Sequence, residues 1–225
     1  MSLNRLPAPA GRLIDRSRTV KFTFEGRIFE GFAGDTIASA LAANGEWLLS
    51  RSFKYHRPRG ILTMAGQDAN TLVQIGAEPN VLADRRRIEN GMAVTGQNYR
   101  GSLEHDRDSW LELLGRFMPV GFYYKAFYKR GTWKFWEPII RDRAGLGRVD
   151  TTAHHAYYDK EYLFADVAVI GGGPAGLSAA LEAARAGGEV ILVDEWPMLG
   201  GSLGYARFDG EGRRADTLLQ DLLSQ

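Results

Sequence analysis

The segment DVAVIGGGPAGLSAALEAARAGGEVILVDE, residues 166–195, decides the fold of the C-terminal part of the chain. Its opening run, residues 166–170, is too continuously apolar for a half-exposed strand and predicts a buried parallel strand. A helix rich in small residues is expected over about residues 174–186, and a second buried strand over residues 190–193. The order of strand, helix and strand predicts an α/β region with a Rossmann-type βαβ unit.

Three glycines with GxGxxG spacing lie between the first predicted strand and the helix. The first permits a tight turn, the second lets the backbone approach a pyrophosphate, and the third lets the helix pack on the strand. The N–H groups and the dipole at the helix start add an anion site. The alternative is a glycine-rich turn that binds no nucleotide. The predicted binding residues in this turn are Gly171, Gly172, Gly173, Pro174, Ala175 and Gly176.

Asp194 ends the second predicted strand, 18 residues after the last glycine of the turn. A carboxylate there can accept hydrogen bonds from both ribose hydroxyls and repels a 2′-phosphate, which favours NAD or FAD over NADP. Glu195 is a second candidate for this role, with simple solvation as the alternative. The LGGS segment at residues 199–202 resembles the second glycine turn of flavoproteins that bind two dinucleotides. Gly201 and Ser202 therefore complete the predicted site, unless this segment is a plain loop.

The remainder of the chain divides into three zones. Residues 1–18 predict an extended lead-in, and residues 19–100 predict a small α+β unit. Alternating apolar residues over 20–32 predict a hairpin, and Asp35 or Thr36 is expected to cap a short helix. Further strands are expected at residues 72–75, 81–83 and 92–95. This order predicts a β-grasp arrangement.

Residues 101–163 predict a partly helical connector, broken by Pro119 and Pro138. Ten of the 25 aromatic residues of the chain lie between Trp110 and Trp136, a density that predicts burial against other parts of an assembly. The last zone, residues 164–225, holds only about 60 residues, whereas a full domain needs roughly 100–150. The dinucleotide-binding domain is therefore expected to be partial, either in a fragment or in a sheet that another chain completes.

Composition excludes several classes of protein. The 225 residues are 44% hydrophobic and 24% charged with a net charge of +1, which indicates a globular protein and argues against nucleic-acid or anionic-membrane partners. The absence of cysteine excludes disulfides, thiol nucleophiles and cysteine-ligated zinc or iron–sulfur clusters. No apolar run approaches the ~18 residues that span a bilayer, and the N-terminus lacks a signal-peptide pattern. A cytoplasmic location is expected.

Several segments together resemble the alpha subunit of heterotetrameric sarcosine oxidase. The resemblance runs from about residue 20 to residue 203, in the N-terminal part of that subunit. The SRSFKYHRPRGIL segment is more specific to this family than the glycine motif, which occurs in many flavoproteins. The segments that carry the resemblance are SRSFKYHRPRGIL (50–62), GAEPNVLAD (76–84), GFYYKAF (121–127), EPIIRDRAGLGR (137–148) and GGGPAGLSAALEAARAGGEVILVDE (171–195).

The resemblance implies a role in the oxidative demethylation of sarcosine to glycine. In this family the alpha subunit holds NAD, the beta subunit oxidises the amine at FAD, and FMN lies at the boundary between alpha and beta. Beta, gamma and delta subunits are the implied partners. No catalytic residue and no metal site are assigned to this chain, which is expected to be inactive alone. The alternatives are a non-enzymatic assembly module with an empty nucleotide site and a subunit of a related amine or opine dehydrogenase.

Related amine oxidoreductase and hydrogen cyanide synthase subunits carry a 2Fe–2S ferredoxin-like domain at the place of residues 19–100. Their ligand spacing falls here on Thr63, Asp68, Thr71 and Asp84. Hydroxyls and carboxylates cannot hold that soft cluster, so the resemblance implies a ferredoxin-like domain without it. A hard-metal site at Asp68 and Asp84 is conceivable, but solvated loop carboxylates are the expected alternative.

The basic segment at residues 51–59 holds four cationic residues and one histidine. One interpretation is a phosphate clamp for a dinucleotide or a flavin. The other is a turn whose arginines pair with carboxylates of the same chain. The four histidines show no metal-ligand spacing, and no catalytic triad or carboxylate pair is recognisable.

Overall fold

The structure is a computed structural model that describes residues 4–7, 10–11, 13–121, 127, 131–144, 147–153, 157–196, 198–204, 206 and 214–224. The chain divides into two compact units, Met1–His154 and His155–Gln225. Within the described ranges, no helix is both long and apolar enough to cross a lipid bilayer.

The first unit begins with seven strands and one short helix. In chain order these are β1 (Asp15–Phe24), β2 (Arg27–Ala33), α1 (Ile37–Ala43), β3 (Ser50–Arg51), β4 (Pro58–Arg59), β5 (Leu72–Ile75), β6 (Glu78–Leu82) and β7 (Ala93–Gly96). Five of the strands form a mixed sheet with the order β2-β1-β7-β5-β6. The pair β1 and β7 is parallel, and the other neighbours in this sheet are antiparallel. The two short strands β3 and β4 form a separate pair.

The hairpin and the helix form as their sequence pattern predicts. Alternate residues of β1 face the core, and Phe22 and Phe24 are fully buried. Thr36 is the N-cap of α1, and its hydroxyl accepts a hydrogen bond from the backbone N–H of Ser39, whose own hydroxyl bonds back to the Thr36 N–H. This reciprocal capping box satisfies two N–H groups that the first turn leaves without partners.

β1 begins at Asp15, four residues earlier than predicted, and so extends into the expected lead-in. The alternative cap, Asp35, instead fixes the N-terminal segment. Its buried carboxylate accepts both Arg5 guanidinium hydrogen bonds, at 3.0 and 2.7 Å, and the Ser39 hydroxyl at 2.7 Å. The chain before β1 is therefore bound to the unit by a buried ion pair.

The core of the first unit lies between the sheet and α1. It includes residues from β1, β5, β7 and α1 and from the segments that follow α1, β6 and β7. Its buried hydrophobic members are Val20, Phe22, Phe24, Ile37, Ala38, Ala40, Leu41, Leu49, Val73, Ala83, Ile88, Met92, Val94 and Leu103.

The connector contains a 3-10 helix, Ser109–Phe117, and helix α2, Trp133–Ala144. The expectation that Pro138 breaks the helix is wrong, because α2 continues through it. Pro138 is only the sixth residue of α2, where a missing N–H removes a single hydrogen bond near the helix start. Part of the aromatic segment GFYYKAF lies outside the described residues. Among the described aromatic residues, Phe117 is 73% exposed and Phe135 is 66% exposed.

The second unit contains β8 (Val167–Ile170), α3 (Pro174–Arg185), β9 (Val190–Val193), a 3-10 helix (Gly201–Gly204) and α4 (Ala215–Leu223). β8 and β9 pair in parallel, as expected for the βαβ unit. The predicted burial of both strands is wrong, because Ile170 is 89% exposed and Val193 is 53% exposed. The sheet has only these two strands among the described residues, so part of its surface stays uncovered, whereas complete parallel sheets are covered on both faces.

Candidate functional site

The glycine turn between β8 and α3 has the tight geometry that its sequence predicts. Gly171 has a φ of +102°, and its N–H donates to the Val193 carbonyl at 2.8 Å. A Cβ on Gly176 would lie 1.8 Å from the Gly171 carbonyl oxygen. Gly171 therefore turns the chain through a left-handed conformation, and Gly176 lets the helix approach the turn.

At Gly173, the middle glycine of the motif, neither the backbone conformation nor the neighbouring atoms require a glycine. Its φ of −73° and ψ of −178° suit any residue, and a Cβ placed on it would meet nothing within 4 Å. Gly173 is the N-cap of α3, and the first N–H that bonds back to it is that of Leu177, at 2.9 Å. The helix therefore presents its first N–H groups and its positive dipole end beside an open backbone.

The second glycine turn lies directly against the first. The Gly200 N–H donates to the Gly172 carbonyl at 2.7 Å. A Cβ on Gly201 would lie 3.0 Å from the Gly173 Cα. The structure thus brings Gly201, and Ser202 next to it, to the glycine motif, although about 25 residues separate them in the sequence.

Asp194 follows β9 and reaches back to the turn. One carboxylate oxygen accepts a hydrogen bond from the Gly172 N–H, and the other accepts one from the Trp196 N–H at 2.7 Å. Asp194 is half-buried, whereas Glu195 is exposed. The two hydrogen bonds therefore place Asp194 at the turn.

The four positions that align with cluster ligands lie together in the first unit. Hydrogen bonds join the Thr63 N–H to Asp68, the Asp68 N–H to Asp84, and the Thr71 N–H to the Asp68 carbonyl. Asp68 and Asp84 are each only 2% exposed, so the expectation of solvated carboxylates is wrong. Among the described residues, no group of three or more His, Cys, Asp or Glu could hold a metal ion.

Side chains of the basic segment form hydrogen bonds with other residues of the same chain. Arg51 is buried, and its guanidinium donates to the carbonyls of Leu103, His56 and Glu104. The Arg57 guanidinium bonds to the Glu112 carboxylate at 3.0 Å. These contacts favour pairing within the chain over the phosphate-clamp interpretation.

His56 is a buried polar residue whose structural role the sequence analysis missed. It is 2% exposed and has a φ of +55°. Its Nδ1 lies 2.6 Å from an Asp106 carboxylate oxygen, and its Nε2 lies 3.1 Å from the Arg143 carbonyl oxygen. His56 therefore joins the basic segment to α2. No local pattern indicates this role, because Asp106 lies 50 residues further along the chain.

A cavity of about 1400 Å³ opens in the first unit beside β5, β7 and α2. Four arginines line it together with acidic residues, and Arg100 forms ion pairs with Asp108 and Asp142. Tyr99, also in the lining, donates its hydroxyl to Glu25 at 2.7 Å. Burial and this hydrogen bond raise the pKa of Tyr99, so its hydroxyl stays protonated. Positive and negative side chains balance here, and the cavity shows no preference for an anion.

Two family models match the chain. Residues 17–99 match a model described as a 2Fe-2S iron-sulfur cluster binding domain. Residues 166–208 match a model described as FAD dependent oxidoreductase. The first range corresponds to the sheet unit with its buried carboxylate loop, and the second contains both glycine turns.

The chain is similar to curated alpha subunits of sarcosine oxidase. It is 48% identical over 209 residues to the subunit of Rhizobium meliloti (strain 1021), a match that covers 90% of this chain and 21% of that protein. It is 34% identical over 218 residues to the subunit of Corynebacterium sp. (strain P-1), covering 94% and 18% respectively. The resemblance expected from the sequence is confirmed. The chain spans about one fifth of the length of these relatives, in their N-terminal part.

A solved structure shares the fold. The crystal structure of L-proline dehydrogenase from P. horikoshii superposes with a TM-score of 0.54 and 22% sequence identity. The match covers 93% of this chain and 32% of that one. At this identity the similarity concerns the fold alone.

The residues present fit one of the two implied cofactors and not the other. A 2Fe–2S cluster needs thiolate or imidazole ligands, and this chain has no cysteine, with Thr63, Asp68, Thr71 and Asp84 at the corresponding positions. A dinucleotide fits the glycine turn, because the backbone at Gly173 faces open space and the start of α3 lies beside it.

Proposed function

We propose that this chain is the cofactor-binding N-terminal part of an alpha subunit of a heterotetrameric sarcosine oxidase, and that its glycine turn binds NAD. The observation that supports the NAD site is the free space beside the Gly173 backbone, with Gly201 and Asp194 next to this turn. The fold itself does not require a glycine at this position. A pyrophosphate that approaches the backbone at the start of the helix does require one.

Each part of the proposed site contacts a different part of the NAD molecule. The first N–H groups of α3 receive the pyrophosphate, and Gly173 lets it approach the backbone. The Asp194 carboxylate accepts the adenosine ribose hydroxyls while it holds the Gly172 N–H. Gly201 and Ser202 border the pyrophosphate from the second turn. When bound, NAD supplies a nicotinamide ring that can accept a hydride.

FAD is the competing occupant, because residues 166–208 match the FAD dependent oxidoreductase model. NAD and FAD share the adenosine and pyrophosphate groups, so the same residues would receive either one. NAD is proposed because the sarcosine oxidase resemblance assigns NAD to the alpha subunit and FAD and FMN to other sites of the complex. The experiment must therefore distinguish the two nucleotides by chemical analysis.

The activity proposed for the complete enzyme is the oxidative demethylation of sarcosine to glycine, with beta, gamma and delta subunits as partners, in the cytoplasm. No residue of this chain is proposed as catalytic, and the chain alone is proposed to be inactive. A second candidate is an assembly module with an empty nucleotide site, which the exposed apolar side chain of Ile170 would suit. A third is a subunit of a related amine or opine dehydrogenase.

The test uses the assembled enzyme with a full-length alpha subunit carrying Gly173→Ala. Nucleotides released by denaturation are quantified by chromatography. We expect the variant to fold, because the added Cβ meets nothing within 4 Å, and to lose NAD while FAD and FMN are retained. The matched control is Gly188→Ala, which lies at the opposite end of α3 with its Cβ 3.3 Å from the Ala183 carbonyl oxygen.

Each other result points to a different function. Selective loss of FAD would assign the turn to FAD. An unsubstituted enzyme without any nucleotide attributable to the turn would favour the assembly module. Retention of NAD in the variant would refute the proposed site. Activity with another secondary amine and none with sarcosine would favour the dehydrogenase alternative.

A further inference from the structure

We propose that Asp68 and Asp84 replace the missing cluster as the centre around which the loop of the ferredoxin-like unit folds. This inference starts from the disagreement between the 2Fe-2S family model and the absence of cysteine. It concerns the first unit and does not depend on nucleotide binding by the second.

Asp84 gathers three consecutive backbone N–H groups. Its Oδ2 accepts hydrogen bonds from Gly66 at 2.7 Å, Gln67 at 2.9 Å and Asp68 at 3.2 Å. Consecutive N–H groups that converge on one point form a concave anion site. The occupant of that site is a carboxylate from the same chain.

Asp68 fixes the two ends of the same loop. Its Oδ2 accepts hydrogen bonds from the N–H groups of Leu62 at 2.7 Å and Thr63 at 3.1 Å. Its Oδ1 accepts the Asn70 N–H at 3.0 Å and the Asn70 side-chain amide at 3.1 Å. The two carboxylates together receive five backbone N–H groups from residues 62–68.

The other two aligned positions belong to the same network. The Thr71 hydroxyl donates to the Asp68 carbonyl at 2.9 Å, and the Ala83 N–H donates to the Thr71 carbonyl at 3.1 Å. The four positions picked out by ligand spacing are thus contiguous through hydrogen bonds. The loop keeps the convergence that a cluster requires, although its side chains cannot bind iron.

The electrostatics support the replacement. In iron–sulfur proteins, N–H groups of the surrounding loop donate to the sulfur atoms of an anionic cluster. Here neither buried carboxylate has a Lys or Arg partner among the described residues, and backbone N–H groups take the place of cations. Two carboxylates supply acceptors and negative charge where the cluster would supply both, so the loop needs neither metal nor oxidation to fold.

The test is amide hydrogen exchange, followed by NMR in the 225-residue chain. In Asp84→Ala, the N–H groups of Gly66, Gln67 and Asp68 lose their common acceptor, and we expect their exchange to accelerate by about tenfold or more. Asp84→Asn keeps one acceptor oxygen, and we expect most of the protection to remain. The control is Asp15→Ala, which removes an exposed carboxylate that accepts hydrogen bonds from the Ser17 N–H and hydroxyl.

Slow exchange of these three amides in Asp84→Ala would overturn the proposal. If Asp84→Ala does not fold, the same exchange measurement is made on Asp68→Asn. That variant replaces one acceptor oxygen of Asp68 by an NH₂ group, which faces N–H donors whichever way the amide points. We then expect faster exchange at Leu62 and Thr63, or at Asn70, relative to the Asp15 control. Unchanged exchange at all three would likewise overturn the proposal.

Discussion

The ferredoxin-like loop of the first unit is filled by carboxylates of its own chain, whereas the glycine turn of the second unit faces open space at Gly173. Both segments match families whose names include a cofactor. A family match therefore identifies the position of a site but not its present occupant. In the closed loop the N–H donors already have carboxylate acceptors, whereas the first N–H groups of α3 have no acceptor within the helix.

The two units also differ in how far they bury their own apolar residues. Phe24 in β1 is fully buried, whereas Ile170 at the end of β8 is 89% exposed. The first unit therefore has the interior of an independent domain. The second unit leaves strand residues exposed, whereas a complete parallel sheet is covered on both faces.

The largest expected effect tests this difference in burial. Phe24→Ala should lower the free energy of unfolding of the first unit by about 3–5 kcal/mol, because it leaves a cavity in the core. Ile170→Ala should change the stability of the second unit by no more than about 0.5 kcal/mol. Urea unfolding followed by circular dichroism measures both. Equal losses in the two variants would contradict the assignment of one complete and one incomplete core.

Most of the local structure could be predicted from the sequence, because its causes are local. Alternation identified β1, and the strand at Leu72–Ile75 was predicted with its observed bounds. The glycine spacing identified the turn before α3. The Pro138 expectation failed because a proline near the start of a helix removes only one hydrogen bond.

The remaining features depend on residues that are distant in the sequence. The parallel pairing of β1 with β7 joins residues about 70 positions apart. Ligand spacing identified Asp84 as a replaced position, but the three N–H groups that it accepts come from a loop 16 to 18 residues earlier. Burial of Asp84 could therefore not be read from its polar neighbours in the sequence.

The next effect concerns the pH dependence of the stability that Asp68 gives to the closed loop. Burial raises the pKa of Asp68, but N–H donors from Leu62, Asn70 and Thr63 outweigh it, and the net pKa is lowered. The stabilisation is present at neutral pH and is lost as the pH falls below about 4 and through the lowered pKa. We expect Asp68→Asn to cost about 1.5–3 kcal/mol at pH 7 and to reduce the loss of stability below pH 4. Urea midpoints at several pH values test this, and an unchanged acid profile would contradict it.

A stability change of similar size is expected at one glycine of the open turn and not at another. Gly176→Ala should destabilise the second unit by about 1–3 kcal/mol, because its Cβ would lie 1.8 Å from the Gly171 carbonyl oxygen. Gly173→Ala should leave stability within about 0.5 kcal/mol. Thermal unfolding of the two variants makes the comparison. A large loss in Gly173→Ala would indicate that this glycine serves the fold and not a ligand.

The smallest effect concerns the choice of nucleotide. Two unit charges ~5 Å apart at an effective dielectric constant near 20 repel by about 3 kcal/mol. Asp194→Asn should therefore narrow the affinity gap between NAD and NADP by about tenfold or more. Its remaining oxygen can still accept the Gly172 N–H, and its NH₂ group then faces the Trp196 N–H. Glu195→Gln, at an exposed position, is the control with little expected change. Calorimetric titration of the assembled enzyme measures the gap, and a preference of the unsubstituted enzyme for NADP would refute the role of Asp194.

The most direct test of the contrast between a closed loop and an open turn is hydrogen exchange of the assembled enzyme with and without NAD, followed by mass spectrometry. We predict that NAD slows amide exchange at residues 173–177 and 201–202. Residues 62–68 should already exchange slowly without NAD and should not change when it is added. Fast exchange at residues 62–68, or no protection of the glycine turns by saturating NAD, would contradict the account.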